Sequence, residues 1–174
     1  MNAVVQVRRA KPKDAHIISL LGRITFAETF GHLFTDQNDL LEYFERTFSV
    51  QKIRSGFTNS NNLFWIAMIN ELPVGYAKLK LNSPSEFVDI ENTSQLQKIY
   101  VLKDFLAQKV GLKLQDEMLK AAKESGSTKI WLSVLQENER AIRFYLKNDF
   151  QKIGEHDFQI GKESFHFHVM SKEL

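Results

Sequence analysis

The sequence predicts an α+β fold with a mixed, mainly antiparallel sheet, and three patterns carry that prediction. Short β-branched or alternating runs indicate about seven strands. Longer runs with apolar residues three or four positions apart indicate helices between them. The two kinds of run follow the order β-α-α-β-β-β-α-β-α-β-β, in which adjacent strands predict hairpins and strand–helix–strand units predict crossovers.

The amino-terminal third predicts one strand followed by helices. Residues 3–10 form a short β-branched run, which is typical of a strand. Pro12 and Asp14 then introduce a long run with helical spacing of apolar side chains. A second helix begins near Asp36 and a third, short one covers residues 50–58, so we expect adjacent helices directly after the first strand.

The middle of the chain predicts a hairpin and one further strand. Residues 63–69 are an apolar strand, residues 70–73 a turn, and residues 74–81 an alternating strand that returns antiparallel to the first. Residues 82–93 are polar and acidic, so we expect an irregular excursion there. Residues 96–101 form the next strand.

The last third changes to strand–helix alternation. Residues 102–110 are a loop, and a helix with an apolar stripe begins at Gly111. Lys129–Leu135 is a strand, and Asn138 is a suitable N-cap for the short helix that follows. Two further strands complete the pattern, over residues 150–160 and 164–172.

The composition excludes several classes of protein. Lys+Arg 23 against Asp+Glu 21 gives a net charge of +2, and no basic cluster is present to bind a nucleic acid. No apolar run approaches the roughly 18 residues of a membrane span. The chain has no cysteine, which removes thiol nucleophiles and zinc–cysteine sites. We expect one cytoplasmic domain over residues 1–174 without nucleic-acid or membrane partners. The sequence does not decide whether the chain forms a homodimer.

The segment from Gln108 to Lys113 gives the sharpest local signal, because it lies between a predicted strand and a predicted helix. Unpaired backbone N–H groups at a helix start bind phosphate groups. The spacing matches neither the G-x-G-x-x-G loop of dinucleotide-binding folds nor the G-x-x-x-x-G-K-[ST] loop of ATP-binding folds. Taken alone, the segment is explained equally well as a solvated loop.

A second motif, from Asn138 to Phe150, follows one strand later. With the first motif and the element order, it resembles the GNAT superfamily of acetyl-CoA-dependent N-acetyltransferases, which has a Q/R-x-x-G-x-G/A loop after its fourth strand and N-x-x-A-x-x-F-Y-x-K-x-G-F after its fifth. The matching residues are Gln108, Gly111, Asn138, Ala141, Phe144, Tyr145, Lys147 and Phe150. The resemblance covers nearly the full length, and residues 25–30, 129–132 and 137–142 are most similar to the PaiA polyamine acetyltransferases.

The resemblance implies a twisted sheet whose fourth and fifth strands are parted to admit acetyl-CoA, with no metal. A fourth-strand backbone N–H then polarises the thioester carbonyl. The implied coenzyme-binding residues are Ile99, Tyr100, Val101, Gln108, Lys109, Val110, Gly111, Leu112, Lys113, Asn138, Phe144 and Lys147. The resemblance also makes Tyr145 the proton donor to the leaving thiolate. From spacing alone, a packing role for Tyr145 is the more frequent explanation.

Two positions depart from the family pattern. Lys113 replaces the last small residue of the loop, so its side chain either swings outward or lies along the phosphate as an added cation. Asp149 replaces glycine before the last strand pair, and Asp tolerates a positive φ better than most residues. We expect coenzyme binding to be preserved.

The sequence assigns no general base. Family members often carry a glutamate on or before the fourth strand, where this chain has Gln95, Gln97 and Lys98. The remaining nearby acids are more often solvent-facing than catalytic, and they are Glu28, Asp89 and Glu91.

The charge distribution predicts the acceptor. Residues 28–45 carry five acids and no Lys or Arg. If they form the acceptor wall, as in the family, then Glu28, Asp39 and Glu42 bind a small cationic amine, a polyamine such as spermidine. A solvated helix face explains the same acids equally well. Two other functions stay open, which are transfer to a protein or peptide amine and a non-catalytic coenzyme-binding regulatory module.

Two of the five histidines suggest a metal site only superficially. His166 and His168 lie two apart and share a strand face, but zinc needs a third ligand that the sequence does not indicate. We expect exposed strand histidines and no metal.

Overall fold

Seven strands form one sheet in the order β1-β2-β3-β4-β5-β7-β6 in the computed structural model, which describes residues 3–88 and 91–174. The strands are β1 (Val5–Arg9), β2 (Asn62–Ile69), β3 (Leu72–Lys80), β4 (Thr93–Val101), β5 (Lys129–Leu135), β6 (Gln151–Ile160) and β7 (Glu163–Glu173). Within those ranges β4 and β5 run parallel and every other neighbouring pair is antiparallel. The predicted α+β class and mainly antiparallel sheet are confirmed.

Five α-helices accompany the sheet in the part of the chain that the structure describes. They are α1 (Ala15–Phe30), α2 (Gln37–Phe48), α3 (Val50–Gly56), α4 (Val110–Glu124) and α5 (Glu139–Lys147). The predicted loop over residues 102–110 is wrong in one respect, because Lys103–Gln108 forms a 3-10 helix. None of the described helices is long and apolar enough to cross a membrane.

The two faces of the sheet carry separate cores, as alternation along each strand requires. One face packs on α4 and α5 through buried side chains such as Leu114, Met118 and Leu132. The opposite face packs on α1, α2 and α3 through side chains such as Phe48 and Ile66. Each such burial contributes about 1.5–3 kcal/mol, so both helix layers are held firmly against the sheet.

The sheet opens between β4 and β5. The two strands pair only over Thr93–Gln95 and Lys129–Trp131, and their remaining residues are not paired with each other. The register of β4 against β3 skips Gln97, which makes that residue a β-bulge. Because a bulge bends its strand, β4 diverges from β5 from this point on. The predicted parting of strands four and five is confirmed.

The turn between β6 and β7 is fastened to the start of α2. The Lys162 N–H donates to Asp39 at 2.8 Å and its Nζ pairs with Asp36 at 2.6 Å. The Thr35 N–H donates to Glu163 at 3.2 Å. Gly161 has φ +57°, and a Cβ there would collide with the Asp39 carboxylate. We call these contacts the clasp.

Candidate functional site

A cavity of about 850 Å³ extends through the opening between β4 and β5. One part, the loop half, lies at the start of α4 and along α5, where Lys109, Gly111 and Phe144 line it. The other part, the aromatic half, lies on the opposite face of the sheet. Its lining includes Phe26, Phe30, Tyr43, Phe158, Phe165 and Phe167. The opening therefore joins two chemically different environments.

The start of α4 shapes the loop half. Lys109 is the N-cap with φ 60° and ψ 21°, a left-handed conformation that turns the chain sharply into the helix. The helix begins at Val110, one residue before the predicted start. N–H groups in the first turn of a helix lack intrahelical partners and carry the positive end of its dipole. This end of the cavity is therefore suited to an anion.

Because Gly111 has no side chain, the backbone N–H groups of the first turn of α4 stay accessible from the cavity. A Cβ at Gly111 would meet only the edge of the Phe144 ring, at 3.9 Å, so the fold itself tolerates a side chain there. Lys113 points away, because its Nζ donates to the Val5 carbonyl at 3.1 Å. Of the two alternatives for Lys113, the structure shows the outward one.

Helix α5 forms the opposite wall of the loop half. Asn138 caps it by accepting a hydrogen bond from the Ala141 N–H at 3.3 Å, as the sequence predicted. Tyr145 is 6% exposed, and its burial raises the pKa of the phenol, which is therefore protonated at neutral pH. Asp149 ends the following turn with φ 68°, the positive value the sequence anticipated.

The aromatic half is walled by rings from four elements, α1, α2, β6 and β7. Phe26 of α1 lies 4.8 Å from Phe30 and 4.8 Å from Tyr43 of α2, measured between ring centroids. Phe165 of β7 lies 5.4 Å from Phe34 in the α1–α2 connection. Such rings offer apolar surface and negative ring faces, which together suit a cation or an apolar chain.

A half-buried lysine, Lys98, enters the aromatic half from β4. The Nζ of Lys98 lies 4.7 Å from the centroid of Phe48 and 5.7 Å from that of Tyr100, and no ion pair to it occurs within the described residues. Burial, and secondarily the neighbouring charge of Lys78, lowers the pKa of Lys98 to about 8. The side chain therefore remains largely cationic at pH 7.

A serine and a histidine meet in the same half. Ser133 of β5 and His156 of β6 both line the cavity, with 2.8 Å between Oγ and Nε2. The imidazole lies parallel to the Phe167 ring, with 5.2 Å between centroids and 8° between planes. Neither residue was singled out by the sequence analysis.

The predicted acceptor acids lie outside the lining of this cavity. Glu28 is exposed and accepts a hydrogen bond from the Lys103 N–H at 3.1 Å, near the carboxyl end of β4. Asp39 belongs to the clasp. Glu42 borders a separate shallow depression on α2. The structure thus places Glu28 near the end of β4, whereas the Asp39 carboxylate is hydrogen-bonded to the β6–β7 turn.

Most of the predicted coenzyme residues and Tyr145 line the cavity. Those that do are Ile99, Tyr100, Val101, Lys109, Gly111, Leu112, Asn138, Phe144 and Lys147. Three of the set do not appear in its lining, namely Gln108, Val110 and Lys113. Asp89 lies outside the described residues, and Glu91 is exposed.

Several residues that line the cavity were not predicted from the sequence. They include Arg140 on α5 and, in the aromatic half, Lys98, Ser133, His156, Phe158, Phe165 and Phe167. The alternation His156-x-Phe158 and Phe165-x-Phe167 is the signal that could have placed them on one face of a hairpin. Within the described residues, no group of three His, Cys, Asp or Glu side chains is placed to hold a metal.

Comparison with known proteins decides the family. Residues 26–150 match the family model described as acetyltransferase (GNAT) family. The chain belongs to the GNAT family. An N-acetyltransferase of Lactobacillus delbrueckii subsp. lactis is 26% identical over 98% of each chain. A spermidine N(1)-acetyltransferase of Thermoplasma acidophilum is 21% identical, covering 84% of this chain and 88% of that one.

Solved structures agree on the fold. The PaiA N-acetyltransferase of Thermoplasma acidophilum, in complex with coenzyme A, superposes with a TM-score of 0.77 at 20% identity, covering 98% of this chain and 99% of that chain. A GCN5-related N-acetyltransferase from Rhodopseudomonas palustris superposes with a TM-score of 0.76 at 17% identity, covering 100% and 98%. The protein is therefore an acetyl-CoA-dependent GNAT N-acetyltransferase.

The loop half fits acetyl-CoA. The first turn of α4 presents backbone N–H groups, and three cationic side chains line the same cavity, those of Lys109, Arg140 and Lys147. At the bulge, the Oε1 of Gln97 is buried without a hydrogen-bond partner in the described chain. That atom is available to accept a hydrogen bond from an amide N–H of a bound molecule.

Proposed function

We propose that this acetyltransferase acts on the primary amine of a small cationic acceptor, and that a polyamine such as spermidine is the first candidate. The observation that carries the proposal is the aromatic half, which opens onto the loop half through the parted strands. Its rings suit an alkylammonium chain through cation–π and apolar contacts. The spermidine acetyltransferase among the relatives supports the same class of acceptor.

The loop half binds and orients the co-substrate. In this proposal the first turn of α4 and the side chains of Lys109 and Lys147 hold the pyrophosphate, and Asn138 fixes the start of α5. When bound, acetyl-CoA supplies a thioester carbon for attack and a thiolate that leaves. Backbone N–H groups of residues 99–101 polarise the carbonyl, and Tyr145 donates the proton that the thiolate needs.

Lys98 determines how a polyamine can enter. A cationic Lys98 repels a second cation nearby, so the nitrogen that reacts must lose its proton before it attacks the thioester. The distal ammonium groups then lie toward the rim, where Glu28 is exposed at the end of β4. The acceptor therefore spans from the opening to the rim.

An acceptor panel assayed by thiol release tests the proposal. Spermidine should give a higher kcat/KM than a monoamine of similar length, and added salt should raise its KM, because an exposed ion pair of about 1 kcal/mol or less is screened. Equal kcat/KM for both amines with no salt effect would remove the polyamine while leaving acetyl transfer intact.

A second candidate acceptor is an amine that carries a carboxylate. The Nζ of Lys98 lines the cavity without an ion pair among the described residues, and it favours this acceptor. Aminohexanoate belongs in the same panel for this reason. A preference for aminohexanoate over spermidine that disappears in Lys98→Met would select this class. Peptide amines complete the panel, because a protein or peptide acceptor needs a cavity mouth wide enough to admit its backbone.

We further propose a cytoplasmic location, which the cysteine-free sequence suits. Cell fractionation checks it. The homodimer that the sequence leaves open is checked by light scattering, where a mass of about twice 20.2 kDa would establish it.

A further inference from the structure

Ser133 and His156 form a hydrogen-bonded pair in the aromatic half that the proposed function does not use. Alternation along β6 places His156, Phe158 and Ile160 on the cavity face, whereas Glu155 and Asp157 point to the other face. The hydrogen bond of 2.8 Å joins the imidazole to β5, the strand that borders the opening. The pair therefore lies on the side of the sheet opposite to α5.

Two rings and a glycine fix the orientation of the imidazole. Phe167 stacks on it, and Phe87 approaches it at 6.4 Å between centroids. A Cβ at Gly154 would collide with the Phe87 ring, so the glycine makes room for this arrangement. An imidazole held in one orientation directs Nε2 at the Ser133 hydroxyl and little else.

The direction of acceptor approach makes this placement relevant. Helices α4 and α5 cover the other face of the sheet, so an amine reaches the opening through the aromatic half. There it needs a group that takes a proton, because an alkylammonium cannot attack a thioester. The described lining of the cavity contains no Asp or Glu, and the Lys98 side chain is largely protonated at pH 7.

We propose that His156 is the proton acceptor for the attacking amine and that Ser133 relays the proton. The ammonium gives one proton to Ser133 Oγ while the hydroxyl proton passes to His156 Nε2, which leaves a neutral amine and an imidazolium. The new C–N bond then forms, the C–S bond breaks, and the thiolate takes the Tyr145 proton. The second N–H proton of the nitrogen returns to Tyr145, and the imidazolium releases its proton to water.

Charged and titratable groups from several elements share the cavity with the pair. From β4 the cavity face carries Lys98 and Tyr100, from α2 Tyr43, and from α5 Tyr145. The cations of the loop half lie beyond the opening, and they are Lys109, Arg140 and Lys147. The acids and histidines of the opposite face of β6 and β7 are Glu155, Asp157, His166 and His168.

The test compares two amines of similar size in His156→Gln, Ser133→Ala and Ser133→Thr. Ethylamine is protonated at neutral pH, whereas trifluoroethylamine is already neutral and needs no proton acceptor. His156→Gln should lower kcat/KM for ethylamine and spermidine about 100-fold and for trifluoroethylamine less than about 3-fold. The acidic limb of the pH profile should disappear. Ser133→Ala should lower the ethylamine rate about 10-fold, and Ser133→Thr should restore it.

The matched control is His166→Gln, which removes an imidazole from the outer face of β7. It should leave every rate unchanged. Equal losses for ethylamine and trifluoroethylamine in His156→Gln, or no loss at all, would overturn the relay. A readout without turnover is the His156 imidazole resonance, which should move when spermidine is added with coenzyme A. A resonance that does not move at saturating amine would also overturn it.

The relay rests on acetyl transfer and not on the identity of the polyamine. If ethylamine is acetylated and spermidine is not, the proposed acceptor fails and the relay keeps its full test. If the wild type acetylates no amine, slow hydrolysis of acetyl-CoA replaces aminolysis, because attacking water needs the same proton acceptor. An unchanged hydrolysis rate in His156→Gln and Ser133→Ala would then overturn the relay.

Discussion

The two halves of the cavity are built in different ways. The loop half consists of the backbone at the start of α4 together with side chains of Lys109 and of the capped helix α5, which follows closely in sequence. The aromatic half consists of side chains from α1, α2, β6 and β7, which lie at opposite ends of the sequence. One half is fixed by local geometry, and the other depends on distant elements meeting.

The difference matters for function. A backbone surface binds any ligand with the same phosphate group and changes little when side chains are exchanged. A surface of side chains changes its preference with each substitution. Under the proposed function, the loop half binds the co-substrate and the aromatic half selects the amine.

The largest expected effect comes from the helix wall of the loop half. Tyr145→Phe should lower kcat by about 10²–10⁴-fold, because the phenol acts on charge that develops only in the transition state. The Kd for acetyl-CoA should stay within about two-fold, since the ring and its packing remain. Steady-state kinetics and calorimetry measure the two. Turnover at the wild-type rate would show that solvent protonates the thiolate.

The next largest effect is on stability, and it comes from Lys98 in the aromatic half. The folded pKa of Lys98, about 8, lies below its value of 10.5 in an unfolded chain. The unfolded state therefore binds more protons between these pH values, so stability rises as pH rises from 8 to 10.5, and below pH 8 the lysine destabilises the fold. Lys98→Met should raise the free energy of unfolding at pH 7 by about 2–3 kcal/mol.

Denaturant unfolding of both proteins at pH 7 and at pH 10.5 measures this. The difference between variant and wild type should shrink toward the higher pH. Lys78, whose pKa burial also lowers to about 8, is present in both proteins and largely cancels in the difference. A difference that does not change with pH would mean that Lys98 is well solvated in the cavity.

A smaller effect concerns the backbone surface. Gly111→Val should weaken acetyl-CoA binding by about 1–3 kcal/mol, because a branched side chain holds phosphate away from the first turn of α4. Gly111→Ala should cost less. The thermal midpoint should change little in Gly111→Ala, since its Cβ meets only the Phe144 ring edge. Unchanged affinity in both variants would place the phosphates elsewhere.

The smallest expected effect is on the KM for the acceptor, and it tests the position of Glu28. Glu28→Gln should raise the KM for spermidine about two- to five-fold, the range expected for an exposed ion pair. Glu42→Gln is the matched control, because Glu42 borders a separate depression on α2. If Glu42→Gln raises KM as much as Glu28→Gln, the acids act through general charge and not through position.

Predictability from sequence follows the same division. The strands, the helix at residues 110–124, the cap at Asn138 and the turn at Asp149 depend on neighbours in sequence, so periodicity, capping and turn chemistry could find them. The direction of Lys113 depends on the Val5 carbonyl, 108 positions away. No local pattern contains that contact. Ser133 and His156 meet only because β5 and β6 both pair with β7.

The acids of residues 28–45 show the same limit. Their charge is plain in the sequence, but whether each faces ligand, solvent or another loop depends on where the β6–β7 turn lies. Asp36 pairs with the Nζ of Lys162, and Asp39 accepts a hydrogen bond from the Lys162 N–H. A charge count predicts attraction to cations without saying which cation, and here one of them belongs to the chain itself.

The clasp has a consequence for the order in which this enzyme assembles. It joins positions 123 and 128 residues apart, so closing it brings together the two ends of the chain at an entropic cost that local elements avoid. Its contacts are exposed and salt-sensitive. We therefore expect the clasp to form late and to loosen early, so under the proposed function coenzyme binding does not require the clasp to be closed.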